Sequence, residues 1–391
     1  VKIPDYYTYT MKNGIKVIGT KTTETPEITL VLNIEGGSLV LPAGQIKKIG
    51  VAELTASLMN EGSKNYTTEQ ISAELEKTGS TIYFYASKTN TTVRINCLKK
   101  NIDATLKLLE EKLLNPGFRE EDFKLAKKQY KGSIRDEQTS AEAIASRMFD
   151  FALYGNSVMG LHPSLKSVTN IELEDLQNYY TNYYSPSVTN LIIVGDIEEK
   201  EIMAKIDFLN KWQAKEVKIQ QPPEPIQPTE PQFFLADKPA APSSVISMGY
   251  TSLKYDVTGD FYKNRIANFS FGGNFNSRLN LNLREEKGYT YGIYSTFTGN
   301  KYAGSFKINS SVKRAATAVS LAEIIKEFKH FVENGITDKE LDFTKNALLN
   351  EEALKYESPY QKADFLSNIV RYNLEKDYTE WQNQLLKNSS K

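Results

Sequence analysis

The sequence predicts an α+β protein made of two tandem, homologous domains. Three observations carry that prediction. The order of strand-like and helix-like stretches in the first half of the chain returns in the second. One helical segment is repeated: PGFREEDFKLAKKQY answers NGITDKELDFTKNAL, with Gly117 against Gly335 and Lys127 against Lys345 at a common offset of 218 residues, as duplication of one unit requires. Between the copies, residues 213–231 hold five prolines and almost no apolar residues, the composition of an extended linker.

Composition narrows the functional classes. A chain of 391 residues exceeds one typical core, so two domains are expected. Hydrophobic residues make up 40% and charged residues 25%, an ordinary globular balance. The 48 basic side chains are matched by 48 acidic ones, which points to neither nucleic acid nor a membrane surface as partner. No apolar run approaches membrane-spanning length. The chain starts at Val1, not methionine, and carries no signal peptide, so it is expected to be processed or a piece of something longer. The single cysteine, Cys97, alternates with Val93 and Ile95 and reads as a buried strand residue. Only two histidines are present, His162 and His330, far apart in sequence. A catalytic zinc site takes two or three at short spacing, so this chain is not expected to build one.

Taken in order, Tyr7–Thr10 and Ile15–Thr20 flank the turn Lys12-Asn13-Gly14 as a hairpin. The stretch Thr29–Ile34 alternates and breaks at Gly36-Gly37. A helix is expected over Ile49–Asn60, with Val51, Leu54, Leu58 and Met59 as its apolar stripe. The next, Thr68–Lys77, begins at a capping box on Thr67 or Thr68 and stops at Gly79. Strands follow at Thr81–Ala86 and Thr91–Leu98, then helices over 101–114, Arg119–Asp136, Ser140–Tyr154 and Leu173–Tyr184. A buried strand, Thr189–Val194, and a helical segment from Glu198 to Leu209 close the first domain, 1–212. The tyrosines at 179, 180, 183 and 184 have helical spacing and read as packing or a domain interface, not a binding platform.

The second domain, 232–391, repeats the order: strand Val245–Tyr250, helix Asp260–Phe269, strands Tyr291–Thr296 and Gly304–Ile308, helix Ala315–Glu333 and helix 337–354. Ser140 and Ser358 keep the same offset of 218. The partner of strand Thr189–Val194 would fall beyond Lys391, so the second sheet is expected to lack it and the domain to be truncated. Gly272-Gly273 resembles a phosphate loop only weakly, since no P-loop lysine follows. It reads as a turn that starts the next helix close to the sheet. That helix opens Asn276–Tyr294, NSRLNLNLREEKGYTYGIY, with Leu279 and Leu283 on one face and Leu281 beside them. Gly288 reads as its stop, and Tyr289, Tyr291 and Ile293 alternate as in a strand. Arg284 near the helix end and Tyr291 at the strand start form a donor-rich pair suited to a peptide carbonyl.

These features together resemble the pitrilysin, or insulinase, family of inverzincin peptidases, which includes mitochondrial processing peptidase. The resemblance covers essentially the whole chain. The motif that carries it is Ser277-Arg278-Leu279, Leu283-Arg284-Glu285, Gly288 and Tyr291, matching S-R-L-x-x-x-L-R-E-x-x-G-x-x-Y. It implies pitrilysin-like domains, each a mostly antiparallel mixed sheet with helices packed on one face. It also implies that Arg284 and Tyr291 hold the substrate backbone near the scissile bond, with Arg278 in the substrate-binding set.

The family's metal motif is H-x-x-E-H inside G-[LV]-A-H-x-x-E-H-[ML], in which two histidines and a later glutamate bind zinc and the motif glutamate is the base. Here the frame is Gly50-Val51-Ala52-Glu53-Leu54-Thr55-Ala56-Ser57-Leu58. The first histidine is Glu53, the base Ala56 and the second histidine Ser57; the later glutamate would fall near Gly132–Glu137. These positions are therefore not ligands, and no metal is expected in this chain. The resemblance implies a zinc-free half of a peptidase for unfolded peptides. Its partner would be a homologous zinc-bearing half, as a separate subunit or in one longer chain. The rival reading is a non-enzymatic assembly protein of the same fold, like the family's respiratory-complex core subunits, with Arg284 and Tyr291 as remnants.

Overall fold

A computed structural model describes residues 3–225 and 227–390 of the chain. In order, its elements begin with β1 (Tyr7–Thr10), β2 (Lys16–Lys21), β3 (Glu27–Glu35), α1 (Val51–Leu58), α2 (Thr68–Thr78), β4 (Thr81–Ala86) and β5 (Asn90–Leu98). Then come α3 (Ile102–Leu114), α4 (Glu120–Thr139), α5 (Ala141–Tyr154), α6 (Leu165–Thr169), α7 (Leu173–Tyr183), β6 (Thr189–Gly195) and α8 (Glu199–Lys205). The second half holds β7 (Ser243–Ser252), α9 (Asp260–Asn268), α10 (Arg278–Asn280), β8 (Thr290–Gly299), β9 (Gly304–Lys313), α11 (Thr317–Asn334), α12 (Asp338–Glu351), α13 (Pro359–Tyr372) and α14 (Tyr378–Asn388).

Local chemistry accounts for many of these boundaries. Thr67 and Gln70 close a reciprocal capping box at the start of α2: Gln70 N donates to Thr67 Oγ1 at 3.2 Å and Thr67 N to Gln70 Oε1 at 2.9 Å. The helix ends at Gly79, in the left-handed region that glycine enters without steric cost.

The elements gather into two compact units. The first takes the chain up to Arg135, with His162–Gln221 and Leu354–Leu374. Its sheet runs β1-β2-β6-β3-β5-β4, antiparallel throughout except for β2 beside β6. Leu30 on β3 stands between Ile193 of β6 and Ile95 of β5. Ile28, Leu30, Leu32 and Ile34 join α1, α3 and α7 in one core. The second unit takes Asp136–Leu161, Pro222–Ala353 and the chain from Glu375 on. Its sheet, among the described residues, is β7-β9-β8, all antiparallel. The order β3-β5-β4 thus returns as β7-β9-β8, the relation expected from a duplicated unit. Ile246, Phe271, Leu279, Leu283, Ile293, Phe306 and Ile308 form its core.

The compact units divide the chain differently from the sequence halves 1–212 and 232–391. Each contains one helix from the other half. In the first unit α13 packs on β6, β3 and β2. It lies opposite the main core, where Ile18, Val31, Ile192 and Val194 are also buried. Hence β3 and β6 are buried on both faces, and α13 adds to the helices expected on one face. Lys362 of α13, nearly sealed, donates to Glu24 Oε2 at 2.9 Å. In the second unit α5 packs on β7. A Cβ at Gly249 would come within 3.0 Å of the Phe149 ring and 1.9 Å of Phe306 O, so glycine is what lets helix and strand approach. Both exchanged helices start at a serine N-cap, Ser140 and Ser358. The linker expected over 213–231 is irregular, with Ile226 outside the described residues. Lys215 and Gln220 bond to Ser185 and Leu39 of the first unit, and Glu224 pairs with Lys254 of the second.

Candidate functional site

The site residues expected from sequence lie in two places, α1 in the first compact unit and Asn276–Tyr294 in the second. The first is α1. Gly50 caps it at φ 108, and a Cβ there would crowd Pro163, Tyr130 and Val168 at 3.3–3.4 Å. Val51, Ala52, Leu54, Ala56 and Leu58 are all buried, so the helix of the metal motif keeps its place in the core. Its far end is held by Lys112 of α3, whose buried Nζ donates to Asn60 O at 2.7 Å and Glu61 O at 2.8 Å. The tyrosines of α7 pack edge to face, Tyr179 on Tyr183 at 5.2 Å, and Tyr179 donates to Gly37 O at 2.7 Å. They are packing residues, as their spacing suggested.

The donor set on α1 does not fit zinc. Glu53 Oε2 is sealed from solvent with no hydrogen-bond partner. Burial pushes its carboxyl above the usual range, and the nearby Lys88 charge offsets that only in part. A cation, Lys88, therefore stands near Glu53, and its Nζ is 3.5 Å from His162 Nε2. Ala56 has no donor and Ser57 is exposed. Glu137 is held by Arg147. Among the described residues no group of three or more His, Cys, Asp or Glu side chains could hold a metal ion. A carboxyl that burial drives toward its neutral form and a hydroxyl do not replace two imidazoles. Elemental analysis of the purified chain is expected to find far less than one zinc per chain; a stoichiometric, tightly held zinc coordinated at Glu53 would contradict this.

The second place is Asn276–Tyr294. Leu279 and Leu283 are fully buried, while Leu281 faces solvent, because a helix turns through about 200° in two residues. The helix is not regular. One α-turn, Arg278–Asn280, passes into a π-helical turn, Leu281–Glu286, a feature that often marks functional sites. Arg284 lies in that wide turn. It pairs with Glu285 and stands over the Phe275 ring at 4.1 Å from its centroid. Gly288 at φ 61 ends the turn, with Tyr289 N bonded to Leu283 O at 2.9 Å.

Tyr291 follows in a β-bulge. Thr290 faces Val312 and Ile293 faces Ser310, so Tyr291 and Gly292 stand where the partner strand has one residue. Ser310 Oγ lies 2.9 Å from both Thr290 Oγ1 and Gly292 O, and Ile293 N donates to Asn280 Oδ1 at 3.0 Å. The bulge ties strand to helix and turns the Tyr291 ring fully into solvent, 100% exposed. Phe275, the bulge and the π-turn were all missed in the sequence. Only the GGNFN run preceding the motif, with a phenylalanine among loop formers, hinted at the first.

Arg278, expected with the substrate-binding residues, bonds within the fold. Its Nε and one terminal nitrogen bond the two oxygens of Glu340, each at 2.6 Å, and that nitrogen also reaches Gly335 O at 2.8 Å. The guanidinium lies over Phe331 as well. Glu340 doubles as the capping-box partner of Thr337 at the start of α12. Arg278 thus locks α10 to α12. Hydrogen bonding from Arg278 holds the Glu340 carboxyl down to about 2. A depressed carboxylate contributes stability above its unfolded value and loses it as pH falls through its folded one. Arg278→Ala is expected to destabilise the second unit by about 2 kcal/mol at neutral pH. The gap from wild type should narrow between the ordinary carboxylate value, 4.5, and about 2. Urea unfolding across that range measures it; equal stability at neutral pH would leave the pair no structural role.

Comparisons with known proteins bear on both places. Two family models match consecutive parts of the chain: "Insulinase (Peptidase family M16)" over residues 16–162 and "Peptidase M16 inactive domain" over residues 170–348. The chain belongs to the M16, or insulinase, peptidase family. A relative from Helicobacter pylori, named non-peptidase homolog YmxG, is 23% identical over 370 residues, 91% of this chain and 82% of its own. The probable mitochondrial-processing peptidase subunit beta of Arabidopsis thaliana is 24% identical over 212 residues, 53% of this chain and 39% of its own. The crystal structure of a peptidase M16 inactive domain from Pseudomonas fluorescens has a TM-score of 0.87 at 23% identity, over 99% of this chain and 92% of that one. The M16 family, its two-domain fold and the type of member that has lost the metal motif are the ones the sequence led us to expect.

Proposed function

We propose that this chain is the metal-free half of a two-part M16 peptidase. In this reading Arg284 and Tyr291 act on the substrate in a composite site whose zinc and general base lie on a homologous partner half, as a separate subunit or in a longer chain. The observation that carries the reading is Tyr291. Its ring stands wholly in solvent on a bulge braced by Thr290, Ser310 and Asn280, and it adds nothing to the core beneath. Bulges beside sites serve to re-aim a side chain. Zinc on the partner half would supply an activated water. This chain's part is limited to its own donors: the Arg284 guanidinium binds a peptide carbonyl, and the Tyr291 hydroxyl donates to the scissile carbonyl oxygen as charge develops there. The substrate is an unfolded peptide, held extended by backbone hydrogen bonds on the partner half.

The name of the Helicobacter pylori relative, a non-peptidase homolog, favours a second reading, in which the chain is an assembly protein and the pair is a remnant. The experiment that separates them is peptide hydrolysis by the chain combined with its homologous zinc-bearing half, using Tyr291→Phe and Arg284→Ala variants that still assemble. A dependence on either side chain supports the enzymatic reading, and indifference to both supports the assembly one.

A further inference from the structure

The guanidinium of Arg284 is carried on a long, rotamer-rich stem, and such a side chain loses much conformational freedom when it must hold one pose. Its environment contains one group able to supply that pose in advance. Phe275 is 52% exposed and outside the apolar core of its unit. A half-exposed phenylalanine on a loop is poorly explained by folding alone. The loop around it is nonetheless firmly built. Asn276 N donates to Asn274 Oδ1 at 2.7 Å, Ser277 N to Asn274 O at 3.2 Å, and Asn280 Nδ2 to the same carbonyl at 3.3 Å. Asn274 Nδ2 in turn reaches Phe269 O. On the sheet side, a Cβ at Gly272 would come within 2.2 Å of Ser295 Oγ on β8, so the turn before the loop is pressed against the strand that carries Tyr291. Asn280 braces both the Phe275 loop and the bulge, through its two amide atoms.

The ring that this loop presents lies 4.1 Å from the Arg284 guanidinium carbon. At that separation the cation lies over the face of the ring and not beyond its edge; a guanidinium lying flat on the ring keeps its N–H donors, which are in its own plane, for another acceptor. Glu285 occupies one of them, and a guanidinium's five N–H donors leave others for a substrate carbonyl.

We propose that Phe275 is a positioning residue. Its ring face pre-orients the Arg284 guanidinium, so that Arg284 meets a peptide carbonyl without first ordering its side chain. This rests on the reading of Arg284 given above and adds to it the group that sets its geometry.

Two measurements test it. The first needs only the isolated chain: the Nε–H resonance of Arg284 by NMR, assigned by its absence in Arg284→Lys. Stacking places it under ring current. Phe275→Ala is expected to move it to the position of a free arginine, and Phe275→Tyr to keep it. The second uses the chain assembled with its homologous zinc-bearing half. Phe275→Ala should raise KM about fivefold, the magnitude of an exposed cation–π contact, with kcat little changed. Phe275→Tyr should restore it, and Phe275→Ala should have no further effect in the Arg284→Ala background. An Arg284 resonance unmoved by Phe275→Ala overturns the inference whatever the chain does. So does a complex impaired by Arg284→Ala but not by Phe275→Ala, with the reading of Arg284 left standing. A complex indifferent to Arg284→Ala overturns both.

Discussion

Replacing Tyr291 with phenylalanine should lower kcat of the assembled peptidase on the order of 10²-fold, the usual cost of losing one oxyanion donor. The fold should be unaffected, because the ring is fully exposed and its hydroxyl anchors nothing within the unit. The loss should fall on kcat, since a donor aimed at developing charge is worth more in the transition state than in the ground state. Arg284→Ala should behave differently. In the proposed reading its guanidinium holds a carbonyl already present in bound substrate, so KM should rise as well. Turnover at the wild-type level in both variants, after assembly has been verified, would mean that the pair is not used.

The second large effect concerns α1 and not catalysis. Lys112→Met keeps the length of the side chain but removes the donors to Asn60 O and Glu61 O. Two carbonyls at the end of a buried helix are then left without partners, and the first unit should lose about 3 kcal/mol. Trp212, buried in that unit, is the fluorescence reporter; Trp381→Phe removes the other tryptophan signal. An unchanged urea midpoint would show that the lysine is dispensable. The pH dependence has a definite sign. Burial lowers the Lys112 ammonium to about 8 from its ordinary 10.5, so the unfolded chain binds more protons between those values and the wild type should gain stability as pH rises through that window. The methionine variant should lack that gain.

Much of the fold was legible because its signals are local. Capping at Thr67, the stop at Gly79 and the alternation of Leu30, Leu32 and Ile34 need only a few neighbouring residues. The repeat was legible through Gly117 with Gly335 and Ser140 with Ser358. Those serines are the N-caps of α5 and α13, yet nothing in their sequence says that each helix packs on the sheet of the other half; that is decided by which β-sheet face is left uncovered. At the site, the residue types of Arg284 and Tyr291 were readable from the motif. The π-turn and bulge were not, since each is one residue inserted in a hydrogen-bond ladder and leaves the apolar period almost intact. Arg278 looked like its neighbour Arg284 in sequence. Only the Glu340 carboxylate, 62 residues away, separates a structural arginine from an available one.

The measurement closest to the central claim is hydrolysis of an unfolded peptide by this chain, by its homologous zinc-bearing half, and by the two together. The account predicts negligible hydrolysis by either alone, turnover by the pair, and loss of that turnover when this chain carries Tyr291→Phe and Arg284→Ala together. Hydrolysis by this chain alone, or full turnover by a pair containing the double variant, would contradict it.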